Sequence, residues 1–237
     1  MSVLKGPLLV TPQEIFSTSS TQGADVGAYA VTGDGRGYRY CLAGGTTLVP
    51  GKLQQSTAED TTNWENLTPA AAAIGATSIT ITTSTTNALN VFANGLMNVT
   101  VTPGQGYSYG VRSNAASAAG NLSVVLSDPI QVALTTSSRI DFIPNPYSNV
   151  IVNPATASGL PVGVAVYPVT NAQYGWIQTH GACNCLADGT VVVGTTVVAS
   201  NGTAGAVEAF AGVQQVVGIA ITGIATTEYG SIFLTLD

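Results

Sequence analysis

Residues 76–82, ATSITIT, place small or apolar residues and polar residues at alternate positions. Successive side chains of a strand point to opposite faces of a sheet, so this pattern predicts a half-exposed β-strand. Comparable short runs recur about every ten residues, with Gly and Pro between them, among them MNVTVT at 97–102 and LSVVL at 122–126. We therefore expect an all-β protein made of small β-barrel or sandwich units with an extended N-terminal arm.

The composition favours the same fold class and excludes some partners. Charged residues make up 8% of the chain, against roughly 25% in an average protein. Lys and Glu, which favour helices, are scarce, so long surface helices are not expected. The net charge of −6 and only six basic residues argue against a nucleic-acid partner. No apolar run approaches the ~18 residues of a membrane span.

Local composition divides the chain into five segments. Residues 1–37 are expected to form the arm, since 17–37 is rich in Ser, Thr, Gly and Asp and has few large apolar side chains. The other expected segments are a β-hairpin segment at 38–67, an inserted barrel or sandwich unit at 68–145, a connector at 146–160, and a C-terminal β domain at 161–237.

Two glycine-bounded segments, GYRYCLAG at 37–44 and GWIQTHG at 175–181, resemble each other. Either 38–56 and 161–237 are two halves of one barrel, or the likeness is chance in a chain rich in Gly, Val and Thr. The first ten residues are a poor secretory signal, which predicts synthesis in the cytoplasm.

Residues suited to metal binding or catalysis are few. The three cysteines, Cys41, Cys183 and Cys185, form no disulfide framework, and we expect structural thiols without a metal. The single histidine, His180, has no neighbours in sequence that suggest a catalytic partner. The carboxylates of Asp141, Asp188, Glu208 and Glu228 have no spacing that selects an acid–base pair. We expect no catalytic residues, no cofactor and no enzymatic activity.

Two other patterns have structural explanations. GDGRG at 33–37 resembles a phosphate-binding loop, but a strand-like run follows it where a helix is required, which predicts a simple turn. Glu59 and Asp60 are adjacent, and adjacent side chains rarely converge on a cation, so 57–67 is predicted to be a solvated loop.

Aromatic residues occur in pairs two positions apart, so that each pair shares one strand face. Such pairs can form a glycan-stacking surface, a subunit interface or a core. The candidates are Tyr38, Tyr40, Tyr107, Tyr109, Tyr174 and Trp176.

The C-terminal part resembles the capsid decoration (cement) proteins and related β-rich head proteins of tailed phages. The segments that carry this likeness are YGWIQTHG at 174–181, LADGTV at 186–191, VVVGTTVVAS at 191–200 and FLTLD at 233–237, with GYSYGVRS at 106–113 and PNPY at 144–147.

The resemblance implies a virion protein, with synthesis in the host cytoplasm and a final location on the capsid exterior. Its partners would be the major capsid protein and two further copies of itself in a homotrimer. Its role would be to bridge capsid subunits by binding alone. An arm can add a strand to a neighbouring sheet, and the candidate capsid contacts are Leu8, Leu9, Val10, Ile15 and Phe16. Two alternatives stay open: a carbohydrate-binding or host-adhesion module, and a head-fibre or tail component.

Overall fold

A computed structural model describes residues 7–212 and 214–237, and within them the protein is all-β with one single-turn helix, α1 (Pro12–Ile15). The strands are, in chain order, β1 (Leu8–Leu9), β2 (Tyr29–Val31), β3 (Gly37–Leu42), β4 (Leu53–Gln55), β5 (Thr68–Pro69), β6 (Ser78–Thr83), β7 (Leu96–Val101), β8 (Ser108–Asn114), β9 (Gly120–Leu126), β10 (Arg139–Ile143), β11 (Ile151–Val152), β12 (Pro161–Ala165), β13 (Tyr174–Leu186), β14 (Thr196–Ala199), β15 (Val207–Ala209), β16 (Val216–Ala220) and β17 (Tyr229–Thr235). The predicted fold class is confirmed.

The chain forms two compact units. Unit 1 comprises Met1–Ala58 and Pro146–Asp237, and unit 2 comprises the continuous segment Glu59–Asn145 between them. Unit 2 therefore includes residues 59–67, which composition alone had grouped with the preceding hairpin. β3 and β4 belong to unit 1 and pair there with β13 and β12.

Unit 1 contains a curled eleven-stranded sheet whose main path runs β1-β2-β3-β13-β17-β16-β14-β15. The thirteen-residue strand β13 organises it, since β13 pairs antiparallel with β3 over one half and with β17 over the other. A parallel bridge between Ala187 and Val207 links the end of β13 to β15. Strand pairing thus curls this part of the sheet back onto itself.

The described residues of unit 1 form three apolar clusters. One lies beneath the second half of β13 and includes Cys183, Cys185 and Leu234. Another includes Cys41 and Ile177. The third joins the N-terminal segment to the aromatic residues of β3 and β13, and its buried members are Val10, Ile15, Ala30, Tyr38, Tyr40 and Trp176.

Unit 2 is a small antiparallel barrel with strand order β10-β7-β8-β9-β6-β5. Leu67 and Ile140 exchange both backbone hydrogen bonds, at 2.9 and 3.0 Å, and so join the two ends of this order. The strand predicted at 76–82 is β6, whose burial alternates residue by residue and turns Ile79 and Ile81 into the core. Each such side chain contributes about 1.5–3 kcal/mol when fully buried.

One type of turn occurs four times among the described residues of unit 1. In each case a buried apolar residue is followed three positions later by a residue with positive φ. Two antiparallel bridges pair the four turns, Leu48 with Val169 and Val191 with Ile224. The positive-φ residues are Gly51, Ala172, Gly194 and Thr227.

Candidate functional site

The N-terminal segment is fixed to unit 1 by a capped helical turn. Thr11 and Glu14 form a capping box, in which the Thr11 amide donates to Glu14 Oε2 at 2.7 Å and the Glu14 amide donates to Thr11 Oγ1 at 3.4 Å. The bond from the Thr11 backbone lowers the pKa of Glu14. Ile15 is 1% exposed and Val10 is 9% exposed, so both anchor the segment in the core.

The remaining candidate contacts of this segment face outward. Leu8, Leu9 and Phe16 are 46%, 82% and 49% exposed. β1 pairs in parallel with β2 and ends the sheet order, so its other edge has no strand partner among residues 7–212 and 214–237. The expected arm spans residues 1–37, of which 1–6 lie outside the described residues. From Pro7 onward the segment combines two anchors, three exposed apolar side chains and an open strand edge.

The aromatic pairs fall into two groups, one in each unit. In unit 1, Tyr40 lies opposite Trp176 on the paired strands, with ring centroids 4.9 Å apart, and Tyr40 stacks on Tyr174 at 5.8 Å. Tyr38, on the same strand, is completely buried, and burial raises its pKa to about 12. Tyr40 and Trp176 are at most 7% exposed. These buried rings pack within unit 1 and offer little surface to a sugar.

In unit 2, Tyr107 stacks on Tyr109 with a centroid separation of 6.2 Å. Tyr109 is buried, and its hydroxyl accepts a hydrogen bond from the Gln131 amide at 3.1 Å. Tyr107 is 43% exposed. Of the two rings, only that of Tyr107 presents a face to solvent.

The three thiols are buried and free. Burial raises the pKa of Cys41 to about 12. A hydrogen bond with Cys183, together with burial, raises the pKa of Cys185 well above its usual range. Within the part of the chain that the structure describes, no group of three or more His, Cys, Asp or Glu residues is placed to hold a metal ion.

Three of the candidate carboxylates accept hydrogen bonds from neighbouring groups. Asp188 accepts a hydrogen bond from the Ser200 hydroxyl at 2.6 Å, and Glu208 accepts one from the Gln214 amide at 2.9 Å. Asp141 accepts from the Asn66 backbone at 2.8 Å. These contacts fix turns and loops.

Glu59 and Glu65 interact in unit 2, near Asp141. Loss of hydration, a side-chain hydrogen bond with Glu59 and the charges of Glu59 and Asp141 raise the pKa of Glu65. Sequence inspection missed the approach of Asp141, because Asp141 lies far along the chain from the acidic loop. An acidic cluster alone does not define a cation site.

The segment GYSYG at 106–110 matches the G-x-S-x-G pattern of hydrolase nucleophile elbows. Such an elbow requires a sharp strand-to-helix turn, but Ser108 begins strand β8. Its hydroxyl donates to Asn98 Oδ1 at 2.6 Å. The match therefore does not identify a nucleophile.

The turn at 33–37 brings together residues that sequence reasoning had kept apart. It joins β2 to β3, with the Thr32 amide donating to the Arg36 carbonyl at 3.0 Å. Arg36 lies beside His180, on β13, and both line one cavity with Phe233. No local sequence signal predicts this, because the three residues belong to segments that meet only through sheet pairing.

Comparison with known proteins identifies no relative: no family model, no curated protein and no solved structure matches this chain. Among the described residues, no helix has the length and apolar character needed to cross a bilayer.

Proposed function

We propose that this protein is a non-enzymatic virion structural protein that binds the outer surface of a phage capsid and stabilises it by bridging capsid subunits. The observation that carries the proposal is the N-terminal segment, in which buried Val10 and Ile15 anchor a strand whose Leu9 is 82% exposed. A segment held in this way presents apolar surface without first having to become ordered. Binding then costs less conformational entropy.

The open edge of β1 supplies the second element of the contact. An unpaired strand edge accepts an additional strand through backbone hydrogen bonds, and side chains beside it give specificity. Leu8 and Leu9 lie on this edge, and Phe16 follows the helical turn that ends the anchor. A capsid subunit that provides a strand would pair with β1 and cover these three side chains.

The low charge of the chain supports a role inside an assembly. Interface cores are depleted in Lys and Glu, and only 8% of this chain is charged. In the proposed homotrimer, three such segments would bind neighbouring capsid subunits together, which raises avidity without any new type of contact. The mass of the purified protein in solution, measured by light scattering, tests the trimer.

Co-sedimentation with undecorated capsids of the source phage tests the binding. We expect the wild-type chain to pellet with the capsids and to raise their temperature of disruption. The double variant Leu8→Asp and Leu9→Asp places two charges in the proposed contact and should abolish pelleting. Ile74→Asp is the matched control, because Ile74 is 69% exposed and lies in unit 2. Failure of the wild-type chain to pellet, or equal loss in the control, would contradict the proposal.

A further inference from the structure

A cavity of about 560 Å³ lies where the β2–β3 turn meets the middle of β13 in unit 1. The turn residues 34–36, the strand residues 180–182 and the ring of Phe233 line it. Its volume is within the range of small-molecule sites. Neither of the N-terminal leucines lines it.

A β-bulge in β13 lies directly before the strand residues of this cavity. The register between β13 and β3 shifts between Gln178 and His180. The side-chain amide of Gln178, which is 1% exposed, donates to the carbonyls of His180 at 3.0 Å and Ala182 at 2.9 Å. Gln178 thereby satisfies two carbonyl groups at the bulge and fixes its shape. Bulges of this kind commonly redirect side chains next to functional sites.

Gly181 allows Arg36 to lie against the bulge. Its φ is +87°, and a Cβ atom at this position would be 3.1 Å from Arg36 Cγ. A larger residue would meet both backbone strain and the arginine side chain. The glycine therefore sets the position of Arg36 along the cavity wall.

The polar wall presents hydrogen-bond donors and acceptors side by side. Arg36 Nε donates to Asp34 Oδ2 at 2.8 Å, which orients the guanidinium plane. Arginine has five N–H donors, of which Nε–H is directed at Asp34. The guanidinium carbon lies 5.9 Å from the centroid of the Tyr38 ring. A hydrogen bond from the Thr32 hydroxyl lowers the pKa of Asp34, so its carboxylate is ionised at neutral pH and accepts hydrogen bonds.

Phe233 forms the apolar wall. Its side chain is 42% exposed, and the imidazole of His180 packs against it edge to face, with centroids 5.2 Å apart. Edge-to-face packing is one of the arrangements that aromatic rings prefer. The cavity thus combines an oriented aromatic face with an arginine–aspartate pair.

We propose that this cavity binds a neutral sugar residue of a glycan. Adjacent sugar hydroxyls each donate and accept hydrogen bonds, which matches the neighbouring Arg36 and Asp34, and the C–H face of a pyranose ring suits the face of Phe233. The Asp34 carboxylate and the net charge of −6 disfavour an anionic ligand.

Saturation-transfer NMR with the full chain tests the proposal. The probes are the methyl glycosides of glucose, galactose, mannose and N-acetylglucosamine, with methyl glucuronide as the anionic comparison, each at about 10 mM because single-sugar affinities lie near the millimolar range. We expect transfer to at least one neutral glycoside and a weaker signal from the glucuronide. Amide shifts on titration should map to Gly181, Ala182 and Phe233.

Two variants and one control then locate the site. Phe233→Ala and Arg36→Lys should each weaken binding at least about tenfold, since lysine keeps the charge but loses the planar donor pair. Phe210→Ala is the control, because Phe210 is a 52% exposed phenylalanine of the same unit outside the cavity. Thermal unfolding checks that each variant is folded. If a variant does not fold, the amide shifts of the wild-type chain still locate the site. No transfer to any neutral glycoside, preference for the glucuronide, or shifts mapping elsewhere would overturn the proposal.

Discussion

Val191 and Ile224 exchange both of their backbone hydrogen bonds, with an N–O distance of 2.9 Å in each direction. Each begins a turn whose fourth residue has positive φ, Gly194 at 79° in one turn and Thr227 at 65° in the other. The two turns therefore share a backbone shape but differ in how well their residues suit it. A left-handed conformation costs a non-glycine residue roughly 1–2 kcal/mol, and a β-branched residue is especially unsuited to it.

Reciprocal substitutions in this turn pair should have opposite effects on stability. Thr227→Gly should raise the free energy of unfolding by up to about 1 kcal/mol, because relief of strain exceeds the added entropy of the unfolded chain. Gly194→Ala should lower it by about 1 kcal/mol through backbone strain alone, since no atom lies within 4 Å of the added Cβ. Urea unfolding midpoints measure both changes. Shifts of the same sign would show that the two turns are not equivalent.

The bulge in β13 should depend on Gln178. Replacement by Leu removes both hydrogen bonds to the carbonyls of His180 and Ala182. Both bonds are partly buried, so leaving these carbonyls without donors should cost about 1 kcal/mol or more. The control is Gln131→Leu, because Gln131 also donates to a backbone carbonyl, at 2.8 Å, but in an exposed position. The control should change stability by less than about 0.5 kcal/mol. Equal losses in the two variants would show that burial of the Gln178 bonds is unimportant.

Local sequence periodicity is sufficient to predict strands but does not predict which strands pair with each other. The alternation at 76–82 predicts β6 because one face of that strand is buried and the other is exposed to solvent. Nothing in residues 33–37 or 175–181 indicates that Arg36 meets His180. This approach depends on the pairing of β3 with β13, which are separated in sequence by all the residues of unit 2. The burial of Ile15 was equally hidden, because a single helical turn is too short to show a period.

Alkali should destabilise the protein through Cys41. Its thiol has a pKa of about 12 in the folded state, against 9.0 for the ordinary group. Above about pH 9 the unfolded chain ionises this thiol while the folded chain keeps it protonated, so the free energy of unfolding falls as pH rises. One pH unit above the ordinary value, the loss from this group is about 1.4 kcal/mol.

Urea unfolding under reducing conditions from neutral pH to about pH 10 measures this loss. The free energy of unfolding of the Cys41→Ala variant should fall less between these pH values than that of the wild-type chain. This holds whatever the stability of the variant at neutral pH. Burial also raises the pKa values of Tyr38 and Tyr147 from 10.0 to about 12. These two groups should therefore lower the free energy of unfolding mainly at higher pH. Parallel curves for the variant and the wild-type chain would exclude the contribution of Cys41.

Glu65 should destabilise unit 2 at neutral pH. Its raised pKa means that folding favours the protonated carboxyl, so the penalty is absent in acid and appears as pH rises through the ordinary value of 4.5 and above. Glu65→Gln should therefore raise the thermal midpoint at about pH 7 and leave it nearly unchanged at about pH 4.

Glu59→Gln removes the charge of Glu59 but leaves the loss of hydration at Glu65, so it should give a smaller gain at neutral pH than Glu65→Gln. Because both substitutions relieve the same interaction, the double variant should gain less than the sum of the two single changes. Thermal unfolding of the four proteins at both pH values completes this cycle. Gains that add fully, or that persist in acid, would mean that the two carboxyl groups act independently and that repulsion between them does not limit the stability of unit 2.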